Sequence, residues 1–213
     1  MADKSNSRPR DRRDRKATED LIVNAFETVL LRDGVAGLGV NAVAQEAGVN
    51  KVLIYRYFKD LPGLARHWSG NSSFWPSEME LIGNDPEGFA KLTVRERVKT
   101  VLCNYIDSIR ARPRTIEMLA GELLNPNEIT LALSDGMTRS GKEVGNFIQL
   151  ETADKHLDDR VWKLIFMVNA LTAYMTIRER TNPSYLGFDM TEDESWAFLR
   201  DTVGDVAERY LED

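Results

Sequence analysis

The stretch Gly39-Val-Asn-Ala-Val-Ala-Gln-Glu-Ala-Gly48-Val-Asn-Lys-Val-Leu-Ile-Tyr-Arg-Tyr-Phe58 sets two short helical patterns around one turn. Neither pattern is long enough to bury much surface, so the unit serves to present its second helix. Val43, Ala44, Ala47, Val49, Ile54 and Phe58 fall on the inward side. Ala44 is small enough for the two helices to cross closely, and Gly48 supplies a left-handed turn residue. Asn50 is placed to cap the second helix. With Ile54 and Phe58 inward, a 3.6-residue period turns Val52, Leu53, Tyr55 and Arg56 outward, with Lys51 in the exposed first turn. Such a face fits the major groove of DNA.

Before this unit, Leu21, Ile22, Ala25, Phe26, Val29 and Leu30 form an apolar stripe that predicts a first helix over residues 18–33, ended by Gly34. A fourth helix begins near Asp60 and carries Leu64, Ala65 and Trp68 toward the first three. This region resembles the DNA-binding domain of the TetR family of bacterial transcriptional regulators. Ala44, Gly48-Val49, Ile54-Tyr55, Tyr57-Phe58 and Leu64 carry the resemblance, which covers residues 17–66. It implies a three-helix head that binds a DNA operator as a dimer, and a larger helical domain that binds a small effector and releases the DNA. Three positions depart from the family pattern. Val52 stands where a small residue is usual, Gly39 and Val40 where a Thr or Ser often caps helix 2, and Leu61 where a Lys is usual; Lys59 could replace that cation.

Charge divides the chain in the same place. Residues 1–70 hold 12 Lys and Arg against 9 Asp and Glu, whereas the remainder holds 16 against 25, so a net charge of −6 hides a basic end. An acidic body with a basic head suits a protein that meets nucleic acid through one face. Arg8, Arg10, Arg12, Arg13, Arg15 and Lys16 form the densest positive cluster. We read residues 1–16 as a disordered arm that reaches a minor groove or the phosphates, with a solvated tail as the alternative. Residues 17–60 form the head, and residues 61–213 the helical ligand-binding and dimerisation domain.

In that second domain Ser69-Gly70-Asn71-Ser72-Ser73 and Pro76 interrupt the linker helix, which is expected to be short or broken and to resume near Ser77. Thr93-Val94-Arg95-Glu96 is a capping box that opens a helix running to the break before Pro113. Another helix follows to Leu124, and after the turn Asn125-Pro126-Asn127 a less regular one reaches about Leu150. The last two span residues 158–180 and 191–211, the latter opened by a second box, Thr191 to Glu194. No period-two strand is visible, and the predicted fold is all-α.

Leu164-Ile165-Phe166-Met167-Val168 is apolar on every side, which requires both faces to be covered. One reading pairs this helix with Trp196, Leu199, Val203, Val206, Ala207 and Tyr210 of the last helix in a two-fold four-helix bundle, with Leu164, Val168, Leu171, Trp196, Leu199, Val203 and Val206 at the dimer interface. The other buries the helix within a monomer. Trp68, Phe74, Trp75, Tyr105, Phe147, Phe166 and Tyr174 supply the chemistry of an apolar effector pocket, or are ordinary core.

For DNA, Lys51 and Tyr55 are assigned to phosphates, Leu53 to a thymine methyl and Arg56 to a guanine; Asn41, Asn50, Val52, Tyr57 and Lys59 complete the candidate set. Enzyme chemistry finds no support in the sequence. His67 and His156 are the only histidines and neither lies in a metal-ligand spacing. Cys103 is the only cysteine, which excludes an internal disulfide, and no cofactor is expected. The longest apolar-rich run, residues 164–177, falls short of the roughly 18 residues a membrane span needs, so a cytoplasmic protein is expected. The expected function is a dimeric, effector-released repressor; a ligand-independent DNA binder and a helical enzyme or adaptor with an incidental helix-turn-helix are the rivals.

Overall fold

The computed structural model describes residues 9–71, 74–135 and 155–212. Helix α1 (Pro9–Gly37) starts nine residues earlier than its apolar stripe requires. Proline suits a first helical turn, where its missing N–H has no intrahelical partner. Residues 9–16, expected as a disordered arm, are therefore helical, and Arg10, Arg12 and Arg13 belong to α1; Arg8 lies outside the described residues. Two contacts hold this extension. Arg15 donates to Glu19 at 2.8 Å, one turn on, and its guanidinium lies 5.3 Å from the Tyr57 ring centre. Gly34, at φ 67° and ψ −175°, breaks the helix where expected and leaves one further turn beyond it.

Helices α2 (Val40–Ala47) and α3 (Val52–Phe58) are joined as the sequence implies. Gly48 sits at φ 64°, ψ 28°, and the Val49 N–H reaches back to the Ala44 carbonyl at 3.0 Å. The Asn50 carboxamide accepts from the Val52 N–H at 2.9 Å, satisfying one of the donors a helix leaves open at its start. Helix α4 (Leu61–Asn71) begins against the end of α3 so tightly that a Cβ on Gly63 would lie 2.1 Å from the Phe58 carbonyl oxygen. The linker is broken as its composition suggests: Phe74, Trp75 and Pro76 are buried in a turn, and α5 (Glu78–Leu81) starts from a capping box made by Ser77 and Glu80.

Helices α6 (Pro86–Lys91), α7 (Val94–Arg110) and α8 (Pro113–Leu124) follow, with α9 over residues 128–135. The Thr93–Glu96 box forms as its sequence predicts. Helices α10 (Lys155–Thr181) and α11 (Asp193–Tyr210) close the domain, clamped by Arg110, which bonds Glu179 on α10 at 3.1 Å and Asp193 on α11 at 2.6 Å. Two cores result. One lies under α1–α4 and α8, with Phe26, Ile54, Leu64, Trp68, Phe74 and Ile116 buried; the other lies between α5–α7, α10 and α11, around Leu81, Phe89, Ile106, Val168 and Trp196. Tyr105 packs against both.

The all-α class expected from the sequence holds, and two local details differ. A two-stranded antiparallel hairpin, β1 (Ser184–Tyr185) and β2 (Phe188–Asp189), joins α10 to α11, with Leu186 and Gly187 in its turn at φ 51° and 90°. Strands of two residues are too short to show alternation, so the all-α pattern hid them. The second capping box does not form, because the Thr191 hydroxyl donates to Asp189 Oδ1 at 2.8 Å and the helix starts at Asp193 without a side-chain cap.

Candidate nucleic-acid interface

Ile54 is fully buried and orients α3 on the head. At 100° per residue, Leu53, Tyr57 and Phe58 fall within about 100° of it on the helix circumference, whereas Val52 and Arg56 fall on the opposite side. Leu53, expected to face outward and meet a base, is accordingly half-buried against the core; so is Tyr57, whose ring lies edge-on to Phe58 at 6.5 Å and beneath Arg15. Seven candidate residues remain exposed together: Asn41, Asn50, Lys51, Val52, Tyr55, Arg56 and Lys59.

Those on α3 form two rows. Lys51, Tyr55 and Lys59 make the row nearer α2, and the Lys51 ammonium lies 3.5 Å from the Asn41 carboxamide oxygen. A cation and a phenol beside an amide are suited to phosphate oxygens. Val52 and Arg56 make the second row, pointing directly away from the buried Ile54. Lys59 closes the helix at φ 74°, its N–H donating to the Tyr55 carbonyl at 3.0 Å, and this left-handed residue projects its side chain from the end of the exposed face.

Residues 22–65 match the sequence profile of bacterial regulatory proteins of the tetR family. The match spans the helix-turn-helix and the parts of its two flanking helices that cover it. Over nearly its whole length the chain shares its fold with a protein described as a TetR-family transcriptional regulator from Rhodococcus sp., at TM-score 0.57 and 18% identity, covering 92% of this chain and 100% of that one. The fatty acid degradation regulator FadR from Bacillus halodurans is similar at TM-score 0.52 and 17% identity, covering 95% of this chain and 96% of that one. No curated protein matches the chain. At these identities the likeness is one of fold.

The candidate pocket residues do not gather around one space. Trp68, Phe74 and Trp75 are buried in the first core, with Trp68 packed on Phe26 at 5.6 Å and on Phe74 at 4.8 Å. Phe166 and Tyr174 lie on the outer side of α10, exposed; Phe147 is outside the described residues. Tyr105 lies at the seam of the two cores, where burial pushes its phenol well above the usual range. The buried indole N–H of Trp75 has no acceptor among the described residues.

The expected interface residues are also redistributed. Leu164, Val168, Trp196 and Val203 are buried in the second core of their own subunit, Leu171 and Leu199 are half-buried against it, and only Val206 is exposed. The apolar face left open is instead Trp162, Phe166, Met167 and Tyr174 of α10 with Phe198, Val206 and Tyr210 of α11, and Phe166 is 79% exposed. An all-apolar run does not say which side of its helix packs into the core of its own chain. The i, i+4 series Trp162, Phe166, Ala170, Tyr174 and Phe198, Thr202, Val206, Tyr210 were the signal that could have separated them. Among the described residues no helix is long and apolar enough to cross a membrane, and no group of three or more His, Cys, Asp or Glu gathers to hold a metal.

Proposed function

We propose that this protein is a TetR-family transcriptional regulator that binds a pseudo-palindromic DNA operator as a homodimer, represses transcription there, and is released by a small, largely apolar effector. The observation that carries the reading is the exposed double row on α3, held at a set angle by Ile54, Ala44 and the left-handed Gly48. A head of this size gains little from one half-site. Two heads docking together in successive major grooves convert modest contacts into a specific complex.

Dimerisation is supported by the large apolar side chains left exposed on α10 and α11, since exposed apolar surface gains free energy when a partner covers it, and a two-fold pairing covers each set with its copy. Release by effector requires a molecule that binds the non-docking arrangement of the two heads more tightly than the docking one. An apolar ligand is favoured by a domain whose buried side chains are almost all hydrocarbon, with the unpaired Trp75 N–H as one donor for an acceptor atom on the ligand.

The test is selection of bound fragments from random double-stranded DNA, followed by affinity measurements on the selected site with Tyr55→Ala/Arg56→Ala. The selected sequences should be two-fold symmetric, affinity should fall steeply with salt, and the double variant should lose the site while keeping its melting temperature. Retained affinity in that variant would show that α3 does not read DNA. Effectors are sought by melting the protein with candidate apolar metabolites, because a ligand specific for the folded state raises the transition temperature.

A further inference from the structure

Resting on the reading of α3 as the DNA-contacting helix, we infer that Val52 and Arg56 together specify the operator, reading a thymine methyl and a guanine about two base-pair steps apart in each half-site. The two side chains are adjacent on the helix surface, four residues apart, and both point away from the buried Ile54. A helix docked by its exposed side presents to the groove floor whatever lies opposite its own core. Its flank, here Lys51, Tyr55 and Lys59 beside Asn41, meets the phosphate wall.

Val52 is the anomaly in this row. It is 61% exposed on a helix whose other apolar residues, Leu53, Ile54 and Phe58, are all drawn into the core. Its side chain carries no donor or acceptor, so it cannot bond to a base edge or to a phosphate. The one apolar feature that B-DNA displays in the major groove is the C5-methyl of thymine. Arg56 carries the planar fork that matches the N7 and O6 acceptors of guanine, and no ion pair holds it elsewhere among the described residues. Four residues rise about 6 Å along a helix, which against a base-pair spacing of about 3.4 Å places the two readings roughly two steps apart. Leu53, half-buried, is excluded from the groove floor.

Single-atom changes in the DNA test this directly. With a selected operator in hand, each thymine is replaced in turn by uracil, which removes only the methyl group, and each guanine by 7-deazaguanine, which removes only the N7 acceptor. One thymine per half-site should carry a penalty of about fourfold for the wild-type protein. That penalty should vanish in Val52→Ala and persist in Leu53→Ala. One guanine, about two steps away, should carry a penalty that vanishes in Arg56→Ala. A uracil penalty that persists in Val52→Ala, or that vanishes in Leu53→Ala, would overturn the assignment, as would an operator in which no thymine methyl matters. Failure to select any double-stranded site would instead bring down the underlying DNA-binding reading, and this one with it. Val52 is exposed, so its truncation should leave the fold intact, and equal melting temperatures of the variants verify that point.

Discussion

Gly39 is the residue where the head falls short of what its fold allows. It occupies the N-cap of α2 in extended backbone, at φ −157° and ψ 151°, with no side-chain bond to the open N–H groups, and a Cβ there would meet nothing within 4 Å. A serine fits that conformation and supplies the missing acceptor. Gly39→Ser should stabilise the protein by a few tenths of a kcal/mol, about 1 °C in melting temperature, and should tighten operator binding by placing a hydroxyl at the mouth of α2. A lower melting temperature would mean that the start of α2 is not open as described. Gly48 and Gly63 answer to different demands: the first needs a left-handed φ of 64°, and the second has the Phe58 carbonyl where a side chain would begin.

At the scale of elements, two short pieces invite tests. Glu80 closes the capping box of α5 and also receives Arg112, the residue just before α8, at 2.6 Å. Burial pushes its carboxyl up, but the Arg112 guanidinium and the amide and hydroxyl of Ser77 together outweigh burial and hold it below the usual glutamate range. A carboxyl with a folded value below its unfolded one, about 4.3, contributes stability that is present above that pH and is lost as pH falls through the folded value. Glu80→Gln should therefore melt below wild type at neutral pH, and the gap should close as the pH falls below about 4. A gap unchanged down to pH ~3 would show that the charge of Glu80 contributes nothing. The hairpin offers the opposite sign. Leu186 is 82% exposed in a left-handed turn position that asparagine occupies more easily. Leu186→Asn should raise stability by about 0.5–1 kcal/mol, read as slower hydrogen exchange of the hairpin amides.

For the whole molecule, the decisive quantity is whether the open face of α10 and α11 joins two subunits. Phe166 contributes little to its own subunit, so Phe166→Glu should leave the fold of the monomer intact while setting a charge against itself across a two-fold interface. Sedimentation should show a monomer, and operator affinity should drop on the order of a hundredfold because the second head no longer docks as part of one particle. A Phe166→Glu protein that sediments as a dimer would place the contact elsewhere. Helices α1–α4 are tied to the rest of the chain at one point. Arg114 of α8 pairs with Glu27 of α1, which also accepts from the Trp68 indole at 3.1 Å on α4, so three helices from both domains meet at one carboxylate.

Local chemistry was enough to read the helix-turn-helix, its left-handed glycine, the Asn50 and Thr93 caps, the broken linker and the helical class, because each depends on residues within a turn or two of one another. Periodicity also separated Ile54 from Arg56. It could not place Leu53 or Tyr57, which sit at the edge of the buried arc, nor say which side of Leu164–Val168 faces inward, nor reveal a hairpin of two-residue strands. Those outcomes were decided by tertiary packing: which neighbour arrives first to cover an apolar side chain depends on the angle at which distant helices cross, and no spacing along one chain segment encodes that angle.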